Sequence, residues 1–319
     1  MLFLLYLRRL LQSVIMNIHI RHTIEFEKIK DWKGAIALTR KRMSIQQLLD
    51  SRESDSNLIS QLTSYIDDFD DVATMLIQER HVPLETIPLF SWTVDDCAIN
   101  SSCWKTDAIL ARLALSNLLL VAGTKQLPDY KTANATFAVA VKQHEQIIQQ
   151  IRQWKWKNPQ DNHFFLQEDW HSASISYLKC LQHLAMVSVG IAKNLTNGTL
   201  YTITQRAVKS AAESIAFWPD VQPNILPLCE TLRYYYSSNI LWDNSQYGSS
   251  IYIMQHWLSH KQDNSAFDIL NTELDKCDFL LKERERTNNG AYFDTIAPPT
   301  PLPTPFELVG TTDIKHPSK

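Results

Sequence analysis

Glycine is scarce in this chain and never clustered. There are seven, and the closest two, Gly190 and Gly198, are eight residues apart. Loops that cradle phosphate need closely spaced glycines, so Walker and Rossmann fingerprints are excluded. Charge of one sign is also missing. Lys+Arg (31) and Asp+Glu (34) nearly cancel, leaving −3, and binding of nucleic acid by bulk charge is not expected. Cysteine is sparse and odd in number: Cys97, Cys103, Cys180, Cys229 and Cys277. With no C-x-x-C pair among them, a zinc or redox motif is not expected, and the usage fits the reducing cytosol. Beyond the first residues no run of 18 apolar residues occurs, so no membrane-spanning helix is expected. No run alternates with period two, so any sheet is small.

The start is mixed. Met1 to Leu7 is apolar, but Arg8 and Arg9 interrupt it, whereas a secretory signal places its basic residues first. It reads as a peripheral amphipathic helix, or as an extension upstream of a start at Met16. Residues 1–43 are taken as an N-terminal extension, 44–315 as one helical domain and 316–319 as a short tail. The 45% hydrophobic content suffices for a sizeable core.

Helical periodicity dominates the rest. From Asn57 to Glu79, Leu58, Leu62, Tyr65, Ile66, Phe69 and Val72 recur in steps of three and four, making one stripe. Ser54, Asp55 and Ser56 offer oxygens to cap its start. A second helix is predicted over about 106–122, stopped by Gly123. Others follow over about 132–154, 170–193 and 199–217. Another runs from near Pro223 to Trp242, one passes through Ile251, Met254 and Leu258, and the last covers about 265–282. After Thr287 the prolines Pro298, Pro299, Pro301, Pro303 and Pro305 favour extended backbone. Apolar residues among them (Tyr292, Phe293, Ile296, Phe306, Leu308) predict a strap laid back across the helices. The expected class is all-α, with successive antiparallel helices. Leu232 to Trp242 and Tyr247 to Leu258 look like one tetratricopeptide unit.

Candidate chemistry is thin. Asp67-Asp68-Phe69-Asp70-Asp71 satisfies D-D-x-x-D, a magnesium-diphosphate motif of isoprenoid synthases. No second acidic motif faces it, and Phe69 on the apolar stripe turns Asp67, Asp68 and Asp71 toward solvent. His256 and His260 are spaced i, i+4, but the intervening Trp257 cannot act as a base. Accordingly no catalytic residue, metal ligand or cofactor is assigned. An isoprenoid synthase-like enzyme is kept as an alternative, as is a generic helical-repeat scaffold for peptides.

Three segments carry a family resemblance. Leu89-Phe90-Ser91-Trp92-Thr93 precedes a small-residue helix, Asp107 to Leu120. Gln246-Tyr247-Gly248-Ser249-Ser250-Ile251 forms a turn in the tetratricopeptide-like core. Asn289-Gly290-Ala291-Tyr292-Phe293, then Pro298 and Leu302-Pro303, form the strap. In this order and spacing, over about 44–315, they resemble the Bro domain family. The family's usual first strand, an apolar-Pro-Leu-Lys segment, is not evident.

The resemblance implies a boomerang-like helical domain with a Pro-rich strap, acting in the cytoplasm without catalysis. It implies an adaptor of the ESCRT pathway, in endosomal sorting and multivesicular-body formation. Its partner would be the C-terminal amphipathic helix of an ESCRT-III subunit, with peripheral association to endosomal membranes and no nucleic acid. The helix groove would lie on the segments 184–193 and 199–212, with Val187 on its apolar stripe. The aromatic anchor of the family falls at Ile191, a second apolar position at Ile203 or Thr204, and a third at Ala207 or Val208. The chain ends His316-Pro317-Ser318-Lys319, without the cysteine that a prenyl anchor needs.

Overall fold

The computed structural model describes residues 19–21, 38, 40–45, 47–48, 55–80, 90–94, 97–101, 104–127, 129–154, 166–217, 225–257 and 267–299. These are mainly helical, with one small sheet. The chain divides into two compact units. One comprises residues up to 126 together with 135–178, and the other 127–134 together with 179 onward.

The first unit holds the sheet. Strands β1 (His19–Arg21), β2 (Phe90–Val94) and β3 (Cys97–Ser101) pair antiparallel in that order. Ile20 faces Trp92, and Trp92 faces Ile99 in register. So the F-x-W segment is a central strand, and a first strand exists although the sequence lacks the family's usual one. It lies within the stretch assigned to the extension, where the brief alternation Ile18-His19-Ile20 is its only signal.

Helix α1 (Asp55–Arg80) buries the predicted stripe: Leu58, Leu62, Tyr65, Ile66 and Phe69 are all in the core. Helix α2 (Trp104–Lys125) is mostly apolar and mostly buried, with Asp107 and Arg112 among its buried side chains. By length and composition α2 and α4 (Glu168–Ala192) could each cross a membrane, a reading the absence of long apolar runs had set aside. In the fold 83% of the α2 window is buried within the protein, and 50% of the α4 window.

Gly123 does not stop α2. The helix runs through it to Lys125, and Gly123 instead meets Phe137 of α3 (Tyr130–Trp154), where an added Cβ would lie 2.6 Å from the ring. The missing side chain lets two helices approach. Asp129 caps α3, accepting from Thr132 N at 3.2 Å.

Three buried polar side chains of the first unit pair with one another. Arg42 and Tyr65 both donate to Asp107, Tyr65 at 2.5 Å, and all three are buried. This three-way contact joins the helical residues 40–45, α1 and α2.

The second unit stacks α5 (Asn197–Phe217), α6 (Ile225–Asp243), α7 (Tyr247–Trp257), α8 (Asp268–Asp275) and α9 (Cys277–Thr287) with the C-terminal part of α4. The single helix expected over 265–282 is two, separated at Lys276. A π-helical turn, Asn288–Tyr292, ends at Phe293 in the left-handed conformation, φ 56°, and leads into residues 293–299, which are neither helix nor strand. These cross the start of α7. Gly248 N donates to Asp294 Oδ2 at 2.8 Å, and an added Cβ there would lie 1.9 Å from Thr295 O. Asn288 clasps Asp294 through both its amide atoms. Tyr292 stacks on Tyr247 with centroids 3.8 Å apart, and Trp242 meets both edge-on. The strap is therefore present as far as residue 299. Its later prolines lie outside the described residues, as do the N-terminal residues 1–15 and His260.

Candidate functional site: the α4–α5 hairpin

The turn between α4 and α5 is closed by local chemistry. Asn194 adopts φ 53°, the left-handed conformation that asparagine tolerates better than most residues. Leu195 N donates to Gly190 O at 2.9 Å and Asn194 N to Ile191 O at 3.0 Å, so two of the last carbonyls of α4 are satisfied within the turn. Thr196 Oγ1 accepts from Thr199 N at 3.3 Å and caps α5. Gly190 has no side chain where Leu200 and Leu195 press in. Asn197 then donates to Asp243 at 3.0 Å, tying the turn to the end of α6.

Gly190 beside Leu200 and His183 beside Arg206 set the antiparallel register of the pair. By that register Val187 lies opposite Ile203. Ile191 falls at the turn, and Val208 about eight or nine residues further along, some 12–13 Å at ~1.5 Å per residue.

The structure divides the six expected groove residues. Val187, Ile203, Thr204 and Ala207 are buried, with 4% exposure at most. Thr204 belongs to the interior although it is polar, because its Oγ1 donates to Leu200 O at 2.7 Å. Ile191 and Val208 are half-exposed, and Leu195, in the turn after Ile191, is 42% exposed. Of the six, Ile191 and Val208 are therefore the ones that reach solvent.

The same hairpin carries a histidine that the sequence did not single out. His183 is half-buried, and its Nδ1 is enclosed without a hydrogen-bond partner. Burial, then the nearby charges of Arg206 and Lys179, push its pKa down to about 4. A histidine pair lies elsewhere, in the first unit. His144 and His171 are both buried, with their Nδ1 atoms 2.9 Å apart. Burial, and then His171, hold His144 well below the ordinary imidazole range. The two residues are 27 apart in sequence, on α3 and α4, and no spacing motif marks them.

The aspartate run is occupied by basic partners. Asp68 pairs with Lys41, and Asp70 with Arg112. Arg112 is itself buried and donates to Gln146 Oε1 at 2.8 Å. Asp67 and Asp71 are exposed and Phe69 is buried, as the stripe predicts. Among the described residues no group of three or more His, Cys, Asp or Glu is placed to hold a metal ion.

Comparison of the sequence with protein-family models and with curated proteins gives no match. Comparison of the fold does. The chain is similar to ALIX in complex with the SIVmac239 PYKEVTEDL late domain, with TM-score 0.67 and 11% identity over 90% of this chain. It spans 46% of that protein, under half its length. It is also similar to the ALIX BRO1 domain in complex with CHMP4C, at 0.66 and 12%, covering 88% of this chain and 86% of that one. A third likeness is to a Bro1 domain described as a structural basis for endosomal targeting, at 0.63 and 11%, covering 81% and 77%. The chain has the Bro-domain fold.

Proposed function

We propose that this protein is a non-enzymatic adaptor of the ESCRT pathway. It binds the C-terminal amphipathic helix of an ESCRT-III subunit on the α4–α5 hairpin, in the cytoplasm, and is recruited with it to endosomal membranes. The observation that carries the reading is the fold, shared over 88% of the chain with a domain whose complex with CHMP4C is known. The half-exposed Ile191 and Val208 suit helix-in-groove recognition, in which a few apolar anchors supply most of the binding energy. Covering a side chain of that size fully is worth roughly 1.5–3 kcal/mol.

Fluorescence anisotropy with C-terminal helix peptides of the ESCRT-III subunits tests this. One tail is expected to bind with a micromolar Kd, and Ile191→Asp to abolish binding. The fold of that variant should survive, since Ile191 is half-exposed. Undiminished binding by a folded Ile191→Asp protein would remove Ile191 from the site. Silence from every tail would move the function to a different peptide partner on the same scaffold.

A further inference from the structure

Two of the five cysteines meet inside the second unit. Cys180 on α4 and Cys229 on α6 hold their sulfurs 3.6 Å apart, both as free thiols and both at 0% exposure. They are 49 residues apart in sequence, and either thiol can donate in the contact. A single buried cysteine needs no further account, because it packs as a small apolar group. Two sulfurs in direct contact add a chemistry that packing does not require. A disulfide bond is about 2.05 Å long, so the sulfurs need approach by only about 1.5 Å.

We propose that Cys180 and Cys229 form a reversible redox latch: oxidation joins them in a disulfide that fastens α4 to α6, and thiols reopen it. The loop that the bond closes, residues 180–229, contains all of α5 and the half-exposed Ile191 and Val208. The turn end of this hairpin is already tied to the end of α6, through Asn197 and Asp243. Cys229 lies 14 residues before Asp243 on the same helix, about 21 Å away. The bond therefore adds a covalent tie at the opposite end of α6, and the hairpin is held at both. Its formation does not depend on the adaptor reading, although the surface it holds is the one assigned there.

The oxidant is a peroxide. One sulfur, as thiolate, attacks a peroxide oxygen; the O–O bond breaks, water leaves and a sulfenic acid forms. The second sulfur then attacks the sulfenic sulfur, the S–O bond breaks and a second water leaves. Two electrons and two protons pass from the thiols to hydrogen peroxide, which ends as two waters. Reduction runs by exchange with external thiol through a mixed disulfide. The contact with Cys180, and then burial, raise the Cys229 thiol well above its ordinary range, so the closed hairpin holds little thiolate there at neutral pH. Reaction runs through local openings that wet a sulfur, and the latch answers to sustained oxidation rather than to a brief pulse.

The test uses the full chain, reduced with dithiothreitol, freed of it, and then held in hydrogen peroxide under native conditions. Free thiols are alkylated in urea and the intact mass is read. All five cysteines should be alkylated before peroxide and at least two fewer after it. Proteolytic mapping should give a peptide pair joined through Cys180 and Cys229, and dithiothreitol should separate the pair. The urea midpoint of the oxidised chain should rise, because the bond constrains the unfolded chain over a long loop. Cys180→Ala and Cys229→Ala should each remove both the joined pair and the rise. The mapping of the unaltered chain decides the question even if an alanine variant fails to fold. Five alkylated thiols after peroxide, a bond between other cysteines alone, or sulfinic acid on Cys180 or Cys229 in place of the bond would each overturn the proposal. A bond that forms but lowers the urea midpoint would also overturn it, since it would strain the hairpin instead of holding it. The ESCRT-III tail peptides test the adaptor reading separately, so either idea can fail alone.

Discussion

Arg284 shows how little a single residue reveals before it is folded. In sequence it stands in Lys-Glu-Arg-Glu-Arg-Thr, a charged run that reads as a solvated helix face. In the fold it is 8% exposed. Its Nη1 donates to Ser238 at 2.7 Å and Ser250 at 3.1 Å, and its Nη2 to Asn239 at 2.7 Å. The guanidinium also lies 5.0 Å from the centre of the Trp242 ring. One planar fork thus satisfies polar groups on α6 and α7 and packs on an aromatic beneath the strap. Arg284→Met would leave Asn239 Oδ1 buried without this donor and the two serine hydroxyls with only each other, 3.3 Å apart, at a cost of about 3 kcal/mol. Lysine would not restore the loss, because its point charge cannot reproduce the fork. Urea titration of the two variants checks this, and a loss below about 1 kcal/mol for Arg284→Met would show the serines and asparagine to be satisfied otherwise. The six groove candidates were legible only as a helix pair. Sequence spacing cannot tell which side of a helix a second helix covers, so buried Thr204 and half-exposed Ile191 looked alike.

Among the elements, long amphipathic helices were legible and their neighbours were not. The stripe of α1 and the hairpin α4–α5 follow from steps of three and four residues, which need no tertiary knowledge. Gly123 misled because a glycine near a helix end signals a stop, whereas here it admits the Phe137 ring. The strap's first part, up to residue 299, was legible from Tyr292, Phe293, Ile296 and Pro298, and Gly248 marks where it crosses α7. Any side chain at that position would meet Thr295 O at 1.9 Å, a contact with backbone rather than with a movable side chain. Gly248→Ala should therefore displace residues 293–299, weakening the Asp294 contact and the Tyr247–Tyr292 stack. The expected result is faster proteolysis after residue 287 and a loss of about 1–3 kcal/mol. Unchanged proteolysis would mean that the strap does not depend on this crossing.

For the molecule as a whole, pH is the variable that the interior decides. His144 and His171 share one N···N contact, which needs one ring nitrogen to accept and so needs at least one neutral ring. His183 is neutral as well until about pH 4. An unfolded chain protonates these rings near 6.5, so below that pH it binds protons that the folded state refuses. Stability should be flat above pH 7 and fall as pH drops from 6.5 through the lowered folded pKa values. For His183 alone the loss by pH 5 is about 1–2 kcal/mol after discounting its partial exposure to solvent. Urea titrations at pH 7.5 and 5.0 read this directly, with the m-value expected to stay constant. Going lower would bring in Asp70, whose pKa burial raises despite Arg112, and would mix a carboxylate effect into the reading. His144→Gln keeps a hydrogen-bonding group beside His171 and should reduce the slope between the two pH values. Equal stability at both would mean that the histidines take up protons without unfolding.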